Sequence, residues 1–400
     1  MSSAALGNEM KRKLTESSLF KPAIESMAQD RREYKRRVGG STPKSMRGKI
    51  QIKIGHGGTL DPGAEGVVSF GVGNGTKALG FLQNGAEKGY EAVMLFGAAT
   101  DSFDSYGKVV GKKAWADVTK EKLEASLKQF RGKVMQRPSV YSALKRGGLK
   151  MYEYARLGKD IPELEKREMF VKQLEVVEWM DGGSHDYQWP ETEIENDRKD
   201  AFVKVLRFDE IGDVEVVKGS DVEALKEDVK EEGKSRKRKR QERANGNARG
   251  EPEAKQSKTG EHPALPEQAE STAEQVEGEE VKSGKPQFEP RETQTSSSNR
   301  PRCPAPAARI RMVVSSGFYV RSLCHDLGVA VGSLALMSTL TRTKQACFEL
   351  GTNVIPYEEF EKDEEVWGPQ VAKELNAWDD RFAELQKERG ANGEAEQSES

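Results

Sequence analysis

A glycine-rich stretch, "GHGGTLDPGAEG" (Gly55–Gly66), decides how this chain of 400 residues is interpreted. Glycine permits positive φ and lets the backbone approach a ligand closely. Within the stretch, Pro62 biases Asp61 towards an extended conformation. Together these residues predict a loop that presents the Asp61 carboxylate to a cleft. Such a carboxylate needs a positive partner, and "FYVRS" (Phe318–Ser322) supplies Arg321.

Other interpretations of the glycines are also open at this point. Taken alone, the stretch is equally typical of a tight turn closed by Asp-Pro. A P-loop is excluded, because "GVGNGTK" (Gly71–Lys77) breaks the spacing GxxxxGK[ST], and it breaks GxGxxG as well. Asp61 and Glu65 do not indicate a glycosidase pair, since four residues of glycine-rich loop do not fix the distance between two carboxyl groups.

Composition indicates a folded core joined to long polar tracts. Apolar residues make up 35% of the chain and charged residues 32%, and the mean hydropathy is -0.76. No apolar run reaches the roughly 18 residues that a membrane-spanning helix needs. The three cysteines form no CxxC pair and the four histidines are scattered, so we expect no metal site and a reducing compartment.

The distribution of charge is more informative than the net charge of -2. Residues 1–160 carry 29 Lys and Arg against 16 Asp and Glu, and residues 301–350 carry 6 against 2. The rest of the chain is acidic. A polyanionic partner for the basic segments and a solvated surface balanced by acidic linkers are both consistent with this pattern.

Local patterns predict strands, helices and low-complexity tracts along the chain. Amphipathic spacing predicts a helix over Asp117–Phe130, with Asp117 or Thr119 as its N-cap. The first fifty residues show only weak strand signal. Further strands are expected over Val67–Gly73, Tyr90–Ala98, Glu168–Met180, Asp200–Ile211, Ile310–Val314 and Ala346–Leu350, and further helices over Gly75–Gln83, Met151–Gly158, Phe318–Gly328 and Ser333–Arg342.

Composition also divides the chain into five segments. The tract after Lys218 is rich in Glu, Lys, Gln, Ser, Gly and Pro, and it contains the basic run "KSRKRKR" (Lys234–Arg240), which is typical of a nuclear import signal or a nucleic-acid patch. We predict a basic, partly disordered N-terminal segment (1–50), two parts of one folded domain (51–217 and 307–360), a disordered low-complexity insertion between them (218–306) and a polar C-terminal tail (361–400).

Four motifs, taken together, resemble those of the TruB-type pseudouridine synthases. The resemblance implies an α+β fold with a mixed, mostly antiparallel sheet flanked by helices and interrupted by a long disordered acidic insertion. Length and insertion make the chain most similar to the fungal members that act on tRNA. The motifs are "GHGGTLDPGAEGVVSFGVGNGTKAL" (Gly55–Leu79), "KGYEAVMLFGAATDSFDSYG" (Lys88–Gly107), "QRPSVYSALKRGGLKMYEYARLG" (Gln136–Gly158) and "SSGFYVRSLCHDLGVAVGSLALMSTLTRT" (Ser315–Thr343).

The resemblance assigns roles in a catalytic domain to five of these residues. Asp61 is expected to be the catalytic aspartate and Arg321 the arginine that pairs with it. Tyr90 is expected to stack on the extracted base and to assist deprotonation. Tyr319 and Leu340 are expected to line the base pocket. Without the resemblance, Tyr90 is an ordinary strand tyrosine.

Four further residues are expected to contact RNA. By the same resemblance, His56 enters the RNA loop beside the extracted base, and Lys77, Lys145 and Arg156 contact phosphate. On the residues alone, a histidine between glycines is an incidental loop residue, and the basic side chains are solvated surface.

The implied activity is isomerisation of uridine 55 in the T-loop of tRNA to pseudouridine, with no cofactor and no metal. The implied partner is the T-arm of tRNA, and we expect a monomer with no obligate protein partner, no membrane association, and a nuclear and/or mitochondrial location. Two alternatives stay open: a catalytic subunit directed by a separate guide RNA, and an inactive tRNA-binding or tRNA-folding protein. One departure is clear, because the Lys-Pro-x-Gly-x-Thr-Ser element that opens the family is approached only by "LFKPAIES" (Leu19–Ser26).

Overall fold

The computed structural model describes residues 1–38, 48–142, 144–151, 153–154, 161–162, 164–219, 303–385 and 387. Two of the predicted elements lie largely outside these residues, namely the disordered insertion over 218–306 and the helix over Met151–Gly158. Cys303 and Ala305 are described and buried, so the folded domain resumes before the predicted boundary at 307.

The strands in the described part of the chain are two to fourteen residues long. They are β1 (Ile54–His56), β2 (Glu65–Gly66), β3 (Phe70–Val72), β4 (Lys88–Phe96), β5 (Ala98–Thr100), β6 (Val109–Lys112), β7 (Gly132–Gln136), β8 (Lys145–Arg146), β9 (Leu149–Lys150), β10 (Arg167–Met180), β11 (Glu215–Val216), β12 (Ala307–Val314), β13 (Ala335–Gln345) and β14 (Phe348–Glu349).

The helices flank these strands. They are α1 (Ser3–Glu16), α2 (Lys21–Val38), α3 (Leu79–Asn84), α4 (Lys120–Ser126), α5 (Asn196–Leu206), α6 (Phe208–Ile211), α7 (Val320–Ala330) and α8 (Glu364–Asn376), with 3₁₀ turns at Gly73–Ala78, Leu127–Phe130 and Tyr357–Glu361.

A seven-stranded sheet lies at the centre, in the order β14–β13–β4–β12–β10–β7, with β2 beside β13. Its pairings are antiparallel except that of β2 with β13. Smaller sheets pair β1 with β3, β8 with β9, and β11, β6 and β5 in that order. The predicted α+β fold with a mixed, mostly antiparallel sheet is confirmed.

Strand β4 is buried on both faces, which explains its nearly continuous apolar sequence. Tyr90 and Met94 pack in the cluster that contains the apolar face of α7. Val93 and Leu95 pack in a second cluster on the other side of the sheet, with Ala305. The predicted helix over Asp117–Phe130 is confirmed as α4 and its 3₁₀ extension, and the Thr119 hydroxyl caps it by accepting from the Lys122 amide.

Two predicted elements have the wrong type. The segment Asp200–Ile211 was expected to be a strand, but it lies in α5 and α6, where Phe202 and Leu206 are buried one helical turn apart. The segment Ser333–Arg342 was expected to be a helix, but it forms most of β13. Pairing with β4 along the whole length of β13 outweighs the weak helical pattern.

Both ends of the chain also differ from prediction. The N-terminal segment, expected to be partly disordered with weak strand signal, forms α1 and α2. The C-terminal segment, expected to be a polar tail, contains α8. A small core joins the two ends, with Leu14 of α1 packed in one cluster with Trp367 and Val371 of α8. The sequence pattern missed this core because its apolar residues lie far apart in two polar segments. No helix in the described ranges is long and apolar enough to cross a membrane.

We predict that the C-terminal helix contributes substantially to stability. Trp367 is 4% exposed, and its ring lies 5.6 Å from that of Phe360 between centroids. Trp367→Ala should lower the free energy of unfolding by about 3 kcal/mol or more in urea titrations, because a large aromatic side chain leaves a cavity. Val366→Ala, on the exposed side of the same helix, is the control and should change it by about 0.5 kcal/mol or less. Equal effects of the two substitutions would show that α8 does not dock.

Burial shifts the pKa values of two neighbouring residues on α7 in opposite directions. The buried His325 ring stacks on Phe103 with 4.6 Å between centroids, and burial lowers the pKa of His325 to about 4. Burial raises the pKa of Asp326 to about 6, although three nearby basic side chains oppose this shift. The opposing side chains are Lys166, Arg137 and Arg207.

These pKa shifts predict two opposing effects of pH on the free energy of unfolding, which partly cancel. Between pH 4 and 6.5 the unfolded chain protonates His325 and the folded chain does not, so this group makes stability rise with pH. Between pH 3.8 and 6 the folded chain keeps the Asp326 proton, so this group makes stability fall as pH rises. Asp326→Asn should therefore give a free energy of unfolding that rises with pH more steeply than in the wild type, and His325→Gln the reverse. Urea titrations from pH 4 to 7 check this, and parallel curves for the three proteins would contradict it.

Candidate active site

The predicted catalytic loop closes in a tight turn at Asp61. The Ala64 amide donates to the Asp61 carbonyl at 3.0 Å. Pro62 and Gly63 occupy the central positions, and Gly63 has a φ of 72°, which is the pattern of a type II turn. A Cβ at position 63 would lie 1.9 Å from the Tyr106 hydroxyl oxygen. The positive φ therefore favours glycine here, and a Cβ would also displace the exposed Tyr106 side chain.

Asp61 and Arg321 form an ion pair between the first and last motifs. Arg321 Nε lies 2.8 Å from Asp61 Oδ2, and Nη2 donates to Oδ1 at 3.1 Å. The arginine side chain is 5% exposed, whereas that of Asp61 is 33% exposed. Two-point contact with a planar guanidinium fixes the orientation of the carboxylate. The arrangement thus holds Asp61 rigidly while leaving it open to a ligand.

The far side of Arg321 meets a second carboxylate, Asp104, with 3.4 Å between Nη1 and Oδ2. Arg321 also donates to the carbonyls of Ser102 and Tyr141, at 3.2 and 3.3 Å. Asp104 Oδ1 accepts from the Ser102 hydroxyl at 2.6 Å and from the Tyr106 amide at 3.0 Å. Burial raises the pKa of Asp104, against the opposing charge of Arg321 and these hydrogen bonds. Two carboxylates and two backbone carbonyls therefore lie around the buried guanidinium, while its Nε makes no hydrogen bond with any residue that the structure describes.

Tyr90 lies in β4 and is 8% exposed. Burial raises the pKa of its hydroxyl, the charge and hydrogen bond of Arg342 partly offset the rise, and the Asp61 charge adds to it. Because the Asp61 charge acts on the pKa of Tyr90, the tyrosine lies within electrostatic range of the predicted catalytic loop. With a raised pKa, the phenol stays protonated at neutral pH.

Arg342 joins Tyr90 to the backbone of the loop. Arg342 is 1% exposed, and its Nε donates to the Val67 carbonyl at 2.6 Å. Its Nη2 donates to the Gly58 carbonyl at 3.4 Å. Gly58 precedes Asp61 and Val67 follows it, so one guanidinium holds both arms of the loop. Gln345 adds a third contact, since its Nε2 donates to the Gly57 carbonyl at 2.6 Å.

Tyr319 caps the N-terminus of α7 beside the ion pair. Its backbone amide and carbonyl pair with the Gln136 side chain at 2.8 and 2.9 Å. Burial raises the pKa of Tyr319, and the charges of Arg321 and Asp61 both act on it. Tyr319 therefore lies close to both charged residues of the predicted site.

Leu340 lies in β13 and is 6% exposed. It belongs to the same apolar cluster as Tyr90 and Val320, and Ala64 and Phe318 pack against that cluster. Asp61 and Arg321 are thus in direct contact, Tyr90 and Leu340 share one apolar cluster, and Tyr319 directly precedes α7. The roles assigned to these five residues remain predictions.

The residues predicted to contact RNA are more dispersed. His56 ends β1, and its carbonyl accepts from Gln83 Nε2 at 3.0 Å. Lys77 and Lys145 are exposed, in the turn before α3 and in β8, and take no part in the ion-pair cluster. Arg156 lies outside the described residues.

Sequence reasoning missed four residues of this site: Asp104, Ser102, Tyr141 and Arg342. The first two lie in "TDSFDSYG" (Thr100–Gly107), whose paired aspartates were a usable signal for a buried cation. Arg342 was hidden by the incorrect helix prediction for β13. Within the described ranges, no group of three or more His, Cys, Asp or Glu side chains is placed to hold a metal ion.

We predict that Arg342→Met lowers the free energy of unfolding by about 2 to 4 kcal/mol, because two buried carbonyls lose their donor. Arg342→Lys should recover part of this loss, since an ammonium group does not span both carbonyls. Arg311→Met is the control, because that side chain is 51% exposed and pairs at the surface, and it should cost about 1 kcal/mol or less. If the two methionine variants unfold alike, Arg342 does not hold the loop.

Comparison with known proteins identifies relatives of the whole chain. Residues 45–194 match the family model described as "TruB family pseudouridylate synthase (N terminal domain)". The chain is 34% identical to tRNA pseudouridine synthase 4 of Schizosaccharomyces pombe, covering 90% of this chain and 79% of that protein. It is 30% identical to tRNA pseudouridine synthase 4 of Saccharomyces cerevisiae, covering 94% and 82%.

A solved structure, that of a Cbf5–Nop10–Gar1 complex, aligns with a TM-score of 0.34 and 18% identity, covering 77% of this chain and 44% of that chain. The extent of the match to the two yeast proteins decides the relationship, and it agrees with the motif order and with the Asp61–Arg321 pair. This chain belongs to the TruB family of pseudouridine synthases.

Proposed function

We propose that this protein converts uridine 55 in the T-loop of tRNA to pseudouridine, acting on tRNA alone and without a cofactor. The observation that carries the proposal is the pair of Asp61 with the buried Arg321, which orients one partly exposed carboxylate. Both yeast relatives are named tRNA pseudouridine synthase 4, which supports tRNA as the substrate. The T-loop position rests on the resemblance of the four motifs.

The reaction needs no co-reactant, because the product is an isomer of the substrate. The bond between C1′ of the ribose and N1 of the uracil breaks, the base turns, and C1′ joins C5. The proton lost from C5 is balanced by the proton gained at N1. Before this, the nucleotide has to leave its stack, because the reacting atoms are not accessible inside folded RNA.

Asp61 is the group suited to act at the ribose or the base. It is the more exposed member of the ion pair, and its oxygens are oriented by Arg321. A carboxylate in this position serves as a nucleophile at C1′ or as a base, and the geometry is compatible with either. Arg321 and Asp104 are too buried to reach substrate and serve to position the carboxylate.

Tyr90 is better suited to hold the base than to remove a proton as a phenolate. Its pKa is raised by burial, so the hydroxyl keeps its proton at neutral pH. Its ring shares an apolar cluster with Leu340, and both residues are buried, so a detached uracil stacks on them only after neighbouring side chains move aside. An apolar wall also limits the access of water, which would otherwise compete for the ribose.

We predict that Asp61→Asn abolishes pseudouridine formation and keeps tRNA binding. The amide retains the shape of the carboxylate but is neither a nucleophile nor a base, and activity should fall by at least about 10²-fold. The assay uses an unmodified tRNA transcript and maps pseudouridine by carbodiimide-dependent stops in primer extension. Glu65→Gln, an exposed carboxylate four residues further on, is the control and should keep wild-type activity.

The same assay separates the alternatives. A stop at the T-loop uridine with purified protein and naked transcript excludes a requirement for a guide RNA. Tight binding without any product in the wild type would support the inactive tRNA-binding alternative and contradict the proposal. Equal activity of wild type and Asp61→Asn would remove Asp61 from the mechanism.

A further inference from the structure

Helix α2 is an unpacked helix in an otherwise well-packed domain. It runs for 18 residues, from Lys21 to Val38, without a single buried residue. Each of the other helices defined above buries at least one residue. Surface helices of globular proteins usually bury one apolar face, so a helix without one has another use or is unstable.

The charge of α2 is strongly positive and lies largely on one side. The helix carries six Lys and Arg against three Asp and Glu. At 3.6 residues per turn, Lys21, Arg32, Lys35 and Arg36 fall within a sector of about 100°. That sector also contains Glu25, one turn after Lys21, so it is uniformly basic only in the C-terminal half of the helix. The helix dipole favours basic residues in the last turn only. It does not account for Lys21 in the first turn or for Arg32 before the last.

These charges are not neutralised by the rest of the domain. Arg32, Lys35 and Arg36 are exposed and form no ion pair with any residue that the structure describes. Arg31 has a different part, since it donates to the Gly48 carbonyl at 2.8 Å and so ties the helix to the chain that leads into β1. Among the described residues nothing pairs with Arg32, Lys35 or Arg36, so the basic side of α2 is free to bind an anion.

The start of α2 is anchored at the small core shared by α1 and α8. Phe20, directly before α2, packs against that core. Close by, the amide of Ile52, in the chain that leads into β1, donates to the Thr15 hydroxyl near the end of α1 at 3.2 Å. From there the 18 residues of α2 extend for about 27 Å. A helix of this length reaches well beyond the length of one nucleotide.

We propose that α2 is a phosphate-binding arm that contacts the backbone of the substrate RNA outside the reacting nucleotide. This rests on the proposed function, because a domain that takes an RNA loop into its cleft holds flanking phosphates nearby. Arginine and lysine on one side of a helix neutralise phosphates without reading sequence. Met27 and Val38, 42% and 51% exposed, form a separate apolar stripe that would suit a protein partner instead, and the test distinguishes the two.

The test compares tRNA binding by the full chain over a range of salt concentrations. The triple variant R32Q/K35Q/R36Q should bind an unmodified tRNA transcript about tenfold more weakly at ~0.15 M salt, and the slope of log K against log salt should fall by about 2 to 3. Glutamine is a good helix former, so the helix should persist, which circular dichroism checks. The matched control is E25Q/D30N/E33Q on the same helix, which should bind tRNA at least as tightly as the wild type.

Two results would overturn the assignment. One is a triple variant with the affinity and salt slope of the wild type. The other is M27S/V38S weakening tRNA binding as much as the triple variant, since the apolar stripe and not the charge would then be the contact. Pseudouridine mapping on the same preparations keeps the two proposals apart. If the wild type makes no product but the triple variant still binds tRNA more weakly, the proposed function is contradicted. The assignment of α2 as a phosphate-binding arm is then still supported.

Discussion

The buried charge of Arg321 is the constraint on which the arrangement of this site depends. Removing a guanidinium from water costs several kcal/mol, and only paired anions and further acceptors offset this. The fold supplies Asp104 on the inner side and Asp61 on the outer side, together with two backbone carbonyls. The residues of the inner side are sealed in the core. The outer carboxylate is the one partner that also faces solvent, and this asymmetry makes Asp61 both structural and available for chemistry.

A second buried arginine explains why the loop is held as a unit. Arg342 donates hydrogen bonds to carbonyls on both arms of the loop. It lies on β13, the element that directly follows α7, and α7 carries Arg321. The last motif of the chain therefore orients the first motif through two guanidinium groups. Their partners lie 260 to 284 residues away in sequence. These pairings show why both motifs are needed, since neither segment forms the site alone.

The sequence allowed much of this to be predicted. Continuous apolar runs predicted β4 and β12, interspersed β-branched and aromatic residues predicted β10, and glycine with proline around a lone aspartate predicted the loop. The errors have one cause, which is that tertiary pairing outweighs local pattern. The segment that became β13 has weak helical spacing, but two neighbouring strands pair with it. The segment that became α5 and α6 has mixed spacing that suits either state, and burial of Phe202 and Leu206 decides for the helix. Asp104 escaped notice because nothing local reveals that its partner is a distant arginine.

The two polar ends of the chain also support the site through tertiary contacts that local sequence patterns do not reveal. Neither α1 nor α8 has a strongly apolar sequence, yet Leu14, Trp367 and Val371 form a core that also packs against β1 and β3, the hairpin leading into the catalytic loop. Ser3 then reaches the loop directly at Leu60. The loop is thus held from three directions: by Arg321 at its tip, by Arg342 across its arms and by the two termini at its base. Apart from the pair of Arg321 with the Asp61 carboxylate, those contacts use backbone groups of the loop. The carboxylate stays 33% exposed despite that pair, so it remains accessible to a substrate.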